Sequence, residues 1–357
     1  MIVGIYKLNV SARIESVENL SISEKNKELI VDFIDYCFSE GLGEHRIVKY
    51  ITTLKYISLS LPTDFDKATE RDIRRYVSNL ERSNKSQWTK HDYKVVMKKF
   101  YRWLNDGEEP SMVKWINTSL KDKNLKLPEE MITEGEVNLM IDVATNKRDK
   151  AIIALLWDIG ARIGEIGNLR IRHLKFDDLG AVVSLDGKTG PRRVRAVWSV
   201  DYLKEWLNEH PGQKDPEAPV WFNFAKKGKV LEPMMYDAIR MRLNKISEKA
   251  GINKKIHPHL FRHSRCTYMA NYLTEAQMNA YFGWIQGSDM PSIYVHLSGR
   301  DVDDAVLKAN GIINKETSNI DTNTKEDTQG PKLDLSSVIE SKVGKLVEAK
   351  IAELLGL

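Results

Sequence analysis

Between positions 20 and 116 the apolar residues recur at steps of three and four, with no alternating run among them. That period predicts helices only. "SEKNKELIVDFIDYCFSEG" opens on a serine cap and stops at Gly41. "EHRIVKYITTLKYISLSL" ends before Pro62, and "TERDIRRYVSNLERS" starts at Thr69, a good capping residue. "SQWTKHDYKVVMKKFYRWLND" sets Tyr93, Met97, Phe100, Tyr101 and Leu104 at helical spacing. Four short helices make a bundle over 20–116, preceded by a segment at 1–19. Residues 117–131 lose the periodicity and contain Pro128, which marks a linker.

The pattern changes at residue 132. Thr133 and Glu136 are spaced as a capping box, and "RDKAIIALLWDIG" is apolar nearly all round, as a buried helix would be. "GAVVSLDGKTGPRRVRAVWS" reads as two β-runs about a Gly/Pro turn, a hairpin. Helices resume in "YLKEWLNEH", "PMMYDAIRMRLNKISEKAG", "HPHLFRHSRCTYM", "TEAQMNAYFGW", "PSIYVHLSG" and "DVDDAVLKANG". The expected second domain is 132–312. Residues 313–334 are polar and read as a disordered linker, and 335–357 as an amphipathic helix that needs a partner or itself to pack on. The fold class is mainly α with a small β-hairpin or sheet, in two domains.

Composition narrows the field. The chain has 357 residues, 42% hydrophobic and 29% charged, long enough for two cores. No apolar run approaches the roughly 20 residues that span a bilayer. The N-terminus does not read as a signal peptide, and two cysteines make neither a disulfide framework nor a Cys-rich zinc site. A cytoplasmic protein with no membrane partner is expected. The net charge of +4 is mild, but basic residues cluster in "KHDYKVVMKKFYRW", "RIRHLK" and "GKTGPRRVR". Lys90, Lys94, Lys98, Arg192 and Arg193 are therefore candidate contacts to a polyanion.

In "HPHLFRHSRCTYM", His259, Arg262, His263, Cys266 and Met269 share one helical face, the one expected to point inward. A buried arginine calls for an anion. Zinc is rejected, because Leu260 stands where the zincin pattern has Glu and Arg262 would repel a cation. A phosphate-binding loop at "DGKTG" fails as well, since Val182 occupies the position of its first glycine and a strand follows. No metal or cofactor is expected. Arg162 and Glu165, in "GARIGEIGNL", stand three apart on one helix turn, where the carboxylate can hold the guanidinium. Lys188 sits at the hairpin tip. Trp284 is followed ten residues on by Tyr294.

This ordered set of Arg162, Lys188, His259-x-x-Arg262, Gly283-Trp284 and Tyr294 resembles the tyrosine recombinase family, which includes the phage integrases and Xer-type recombinases. The resemblance covers roughly residues 20–312. It implies a two-domain DNA clamp, with a helical core-binding bundle joined to a catalytic domain. It also implies site-specific recombination through a 3′-phosphotyrosyl intermediate and a Holliday junction. By that resemblance Tyr294 attacks phosphorus, Arg162 and Arg262 stabilise the developing charge, His259 takes or bonds the phenolic proton, and Lys188 protonates the leaving 5′-oxygen. Glu165 and His263 are supporting residues. The family's third basic position, often His, is Trp284 here; an indole N–H can donate to phosphate but cannot carry a proton. The implied partners are double-stranded DNA, three further copies of the chain in a homotetramer, and accessory DNA-bending proteins, in a prokaryotic, archaeal or viral setting.

Taken singly, each residue has a plainer reading. Arg162 with Glu165 makes an ordinary ion pair, Lys188 a phosphate anchor, and Trp284 and Tyr294 core aromatics. Two other functions stay open: a type IB topoisomerase with the same chemistry, and a non-cleaving DNA-binding protein on the same scaffold.

Overall fold

A computed structural model describes residues 4–6, 8–119, 130–187, 189–224 and 231–297. The expectations for Lys188, for the helix "DVDDAVLKANG" and for the segments 313–334 and 335–357 lie outside the described residues.

The first half is helical, as its period requires. It comprises α1 (Val10–Glu18), α2 (Glu24–Ser39), α3 (Glu44–Ser60), α4 (Glu70–Arg82), α5 (Gln87–Leu104) and the short α6 (Ser111–Lys114). The expected caps are in place. Ser23 and Ser86 accept backbone N–H bonds at the starts of α2 and α5, Thr69 forms a capping box with Asp72, and α2 runs out before Gly41, at φ +71. Helix α1 is an addition to the expectation. Its sequence is polar apart from a few positions, but Val17 is buried with the α2–α5 core, so packing rather than patterning holds it. The core of this half stacks Phe33, Phe65 and Phe100 with centroids 4.6 to 5.2 Å apart.

The second half forms a separate apolar cluster around α8 (Lys147–Ile159), which is buried on all sides. Helix α7 (Glu134–Val143), α10 (Val200–Asn208), α12 (Pro258–Met269) and strand β3 (Gly190–Ala196) pack on it. The Thr133–Glu136 capping box opens α7. The expected hairpin is present as β2 (Gly180–Gly187) and β3, and β1 (Leu174–Asp177) extends it to a three-stranded antiparallel sheet. Strand β1 is four residues long and mostly exposed, so it leaves no alternating signal. The β2–β3 register runs from Ala181 opposite Ala196 to Gly187 opposite Gly190, with Thr189 in the turn. The remaining elements are α9 (Ile163–Gly167), α11 (Tyr236–Lys249), α13 (Glu275–Phe282) and α14 (Met290–Leu297). Ile5, from the N-terminal segment, is buried in this second cluster, and its carbonyl accepts the Tyr236 N–H at 2.9 Å. Met131 and Ile132 are also buried there, at the end of the expected linker.

Candidate active site

Three chain reversals build the site. The first follows α8. Gly160 ends that helix at φ +55, and a Cβ there would lie 2.7 Å from Arg265 Cβ, so glycine is required twice over. Two residues later Arg162 caps α9. Its backbone N–H donates to Glu165 Oε2 at 2.7 Å, and its Nη1 donates to Glu165 Oε1 at 3.1 Å. One carboxylate thus fixes both ends of the arginine.

The second is the start of α12, where Pro258 takes the first turn and His257 Nδ1 accepts the Leu260 N–H at 3.2 Å. Arg262 then points inward and is only 6% exposed. Its Nη1 donates to Gly160 O at 3.1 Å and its Nη2 to Phe282 O at 2.8 Å, while its guanidinium lies 5.4 Å from the ring centroids of both Phe282 and Trp284. No carboxylate forms an ion pair with it among the described residues. Burial depresses its pKa; carbonyl dipoles and ring faces hold the charge at close range, and the more distant Glu165 favours it.

The third is the left-handed Gly283 at the end of α13, φ +64. Arg162 Nη1 donates to Phe282 O at 3.4 Å and Arg162 Nη2 to Gly283 O at 2.8 Å; Thr189 Oγ1 also donates to Gly283 O, at 2.9 Å. The two arginines, a hundred residues apart, therefore share one carbonyl oxygen. Among the described residues the Nε–H of each remains without a protein partner, and so does part of each Nη set. Arg162 opens onto a cleft of about 460 Å³ that is also lined by Tyr6, Glu165, Asp186, Gly187 and His259.

His259 departs from the expected inward face. It is exposed and lines that cleft from the first turn of α12. His263, one turn on, lies with Nδ1 2.8 Å from Tyr294 Oη. Tyr294 is buried at 2% exposure, in a small cluster with Cys266 and Met278, and its ring stacks on Trp284 at 5.5 Å and 8°. Burial pushes the Tyr294 phenol well above its ordinary value; Cys266 adds to this and Arg262 opposes it. Burial likewise pushes the Cys266 thiol up to about 12. The tyrosine is beside the arginines but does not line the cleft.

The basic candidates fare unevenly. Lys90 is 6% exposed and donates to Glu81 O at 2.6 Å; Lys94 pairs with Glu81 at 2.9 Å and Lys98 with Glu109 at 2.7 Å. Their ammonium groups are taken up by α4 and the end of the bundle, which corrects their reading as open anion contacts. Arg192 is also corrected: it points inward onto Glu165, at 2.6 and 2.8 Å. Arg193, next along β3, is exposed as expected.

Residues 130–300 match the family described as the phage integrase family, and that span holds Arg162, Glu165, His259, Arg262, Trp284 and Tyr294. Over residues 130–300 the chain belongs to the phage integrase family. Among curated relatives, tyrosine recombinase XerA of Pyrococcus horikoshii is 28% identical over 247 residues, covering 68% of this chain and 80% of that protein. Tyrosine recombinase XerC of Anoxybacillus flavithermus is 22% identical, covering 82% and 92%. In fold the chain is similar to a lambda integrase dimer bound to a COC′ core site (TM-score 0.63, 14% identity, 83% of each chain). It is similar also to the Tn1549 transposon integrase in complex with transposon right end DNA (TM-score 0.62, 15% identity, 80% and 98%).

Within this site, the sequence pattern did not point to the Phe282–Gly283 carbonyls, the Thr189 contact or the Arg192–Glu165 pair. Only "FGW" carried a local signal, a glycine just past a capped helix. Glu165 is held below the usual carboxylate range: burial works to raise it, and hydrogen bonds and charge from Arg192, then Arg162, overcome that.

Proposed function

We propose that the chain is a site-specific DNA recombinase that cuts and rejoins duplex DNA through a 3′-phosphotyrosyl link on Tyr294. The observation that carries this reading is the shared Phe282 carbonyl. It sets two guanidinium groups side by side, with N–H donors unspent and no acidic ion-pair partner for Arg262 among the described residues. Such a pair suits one phosphodiester, whose non-bridging oxygens gain negative charge as the nucleophile enters. In the step itself the Tyr294 Oη–P bond forms and the P–O5′ bond breaks. The phenolic proton goes to His259, and Lys188 supplies the proton that leaves on the 5′-hydroxyl. The phenol must first leave His263 and swing past Trp284 toward the arginines. Trp284 donates its indole N–H to a phosphate oxygen and moves no proton.

On this reading the bundle of 20–116 and the catalytic domain of 132–312 hold the duplex between them. Four copies assemble on two duplexes and pass through a Holliday junction, and the segment 335–357 adds a contact between copies. The burial of Tyr294 would equally suit a core aromatic in a non-cleaving DNA-binding protein. Incubating the chain with a pool of nicked duplexes of randomised sequence separates the two. The expected result is a covalent adduct whose DNA-bearing peptide contains Tyr294. If no adduct forms while DNA still binds, the recombinase reading is lost. Relaxation of supercoils without joining of partner duplexes would point to a topoisomerase.

A further inference from the structure

Arg192 has no place in the chemistry just described, yet it has the most complete set of partners in the site. Its Nη1 and Nη2 donate to the two oxygens of Glu165 at 2.6 and 2.8 Å, and its Nε donates to Tyr281 O at 3.0 Å. Its side chain is 10% exposed and that of Glu165 3%, so both are largely withdrawn from solvent. The local chain is cut to fit the pair. A Cβ on Gly283 would lie 2.7 Å from Arg192 Nη1, and one on Gly187 would collide with the Glu165 carboxylate.

We propose that Arg192 is a positioning residue for phosphate binding, acting through Glu165 on Arg162 and through Tyr281 on the Phe282–Gly283 turn. This rests on the recombinase reading for its substrate, but its physical basis is independent of it. Arg162, Arg262 and Glu165 alone sum to one positive charge; Arg192 makes it two. A phosphodiester carries one negative charge and gains a second as it is attacked, so the second positive charge that Arg192 adds to this cluster is matched at the transition state.

Geometry points the same way. Glu165 already takes the Arg162 backbone N–H and one Nη1–H. Freed of Arg192, both its oxygens would be open to a bidentate grip on Arg162, which would consume donors that phosphate needs. Arg192 prevents this by occupying both oxygens. Because it sits on β3 and bonds the end of α13, it also locks the hairpin to the turn on which both arginines rest. The clasp spans three elements far apart in sequence, which a solvent-facing phosphate anchor would not do.

The test compares full-length Arg192→Gln and Arg192→Lys with the unaltered chain. Single-turnover cleavage is read on a duplex recovered from the randomised pool, with sulfur in place of the bridging 5′-oxygen. A thiolate leaves without a proton, so the rate reports the phosphate clamp and not Lys188. Arg192→Gln should cut about 100-fold more slowly, as expected for a misplaced clamp, with DNA affinity within about threefold. Arg192→Lys, which keeps the charge but one donor direction, should fall between. On an Arg192→Gln background, Arg162→Lys should cost much less than it does alone, because both act through one group. Cleavage by Arg192→Gln within threefold of the unaltered chain, or losses that simply multiply, would overturn the proposal.

Titration with inorganic phosphate gives a second readout that needs no cleavage, and it serves if Arg192→Gln folds poorly and only Arg192→Lys can be used. If the unaltered chain never forms an adduct yet binds phosphate about tenfold more tightly than the variant, the recombinase reading fails and the positioning role stands. Equal phosphate binding overturns the positioning role itself.

Discussion

Tyr294→Phe removes one oxygen and separates what that oxygen does for the fold from what it does for the chemistry. In the fold, the hydroxyl hydrogen-bonds with His263 Nδ1 at 2.8 Å and also meets the Cys266 thiol. The ring contributes the rest: it is 2% exposed and stacks on Trp284 at 5.5 Å, and Phe keeps both contacts. One lost hydrogen bond of this kind costs about 1 kcal/mol. With an unfolding entropy near 2 cal/mol/K per residue, that shifts the melting temperature of a chain this size by about 1.4 °C. In the chemistry the loss is total, because no other group replaces the nucleophile. The phenol also enters from a disfavoured state. Burial raises its pKa above the ordinary value of about 10, so at neutral pH fewer than roughly one in a thousand is ionised, and attack must be coupled to proton transfer. DNA affinity should stay within a few-fold, since on the proposed mechanism Arg162 and Arg262 hold the phosphate. The assay combines denaturing gels for the adduct, filter binding for affinity and calorimetry for melting. An adduct in Tyr294→Phe, or melting lowered by more than about 8 °C, would refute the assignment.

Gly160→Ala forces a side chain into left-handed backbone and against Arg265, and should destabilise by roughly 2–4 kcal/mol, seen as a lower urea midpoint with an unchanged slope. Because Gly160 O accepts from Arg262, inorganic phosphate should bind more weakly as well, measured by titration. The Glu165 carboxyl is lower in the folded chain than in the unfolded one, so its stabilisation is in full force above about pH 4.3 and fades as pH falls through the folded value; Glu165→Gln should flatten that acid limb of melting temperature against pH. Arg193→Ala should reduce the slope of log affinity for DNA against log salt by about one, and Lys90→Ala should leave it unchanged while lowering stability, since its ammonium is bonded inside the bundle.

The contrast between Arg193 and Lys90 shows where the sequence is informative. Helix boundaries were readable because caps are local: Ser23, Thr69, Ser86 and Thr133 bond N–H groups three residues away, and nothing distant can cancel that. Strand β1 and helix α1 were not readable, because β1 is too short to alternate and α1 is held by contacts with α3. Direction of side chains on a basic strand is legible only to a period of two. Arg192 and Arg193 look alike in the chain, yet the pleat sends one to Glu165 and the other to water. The requirement that a buried Arg262 meet an anion was sound in its physics but incomplete: two carbonyls and two rings hold the guanidinium in place, and no described carboxylate pairs with it. Carbonyls leave no mark in a sequence, since every residue has one. What makes these available is the left-handed glycine after each of two helices, Gly160 and Gly283, which turns the last carbonyls out of the helix and toward the arginines. A carboxylate in their place would hold Arg262 as firmly but cancel its charge, so dipoles are the partners that keep a buried cation both stable and able to receive an anion.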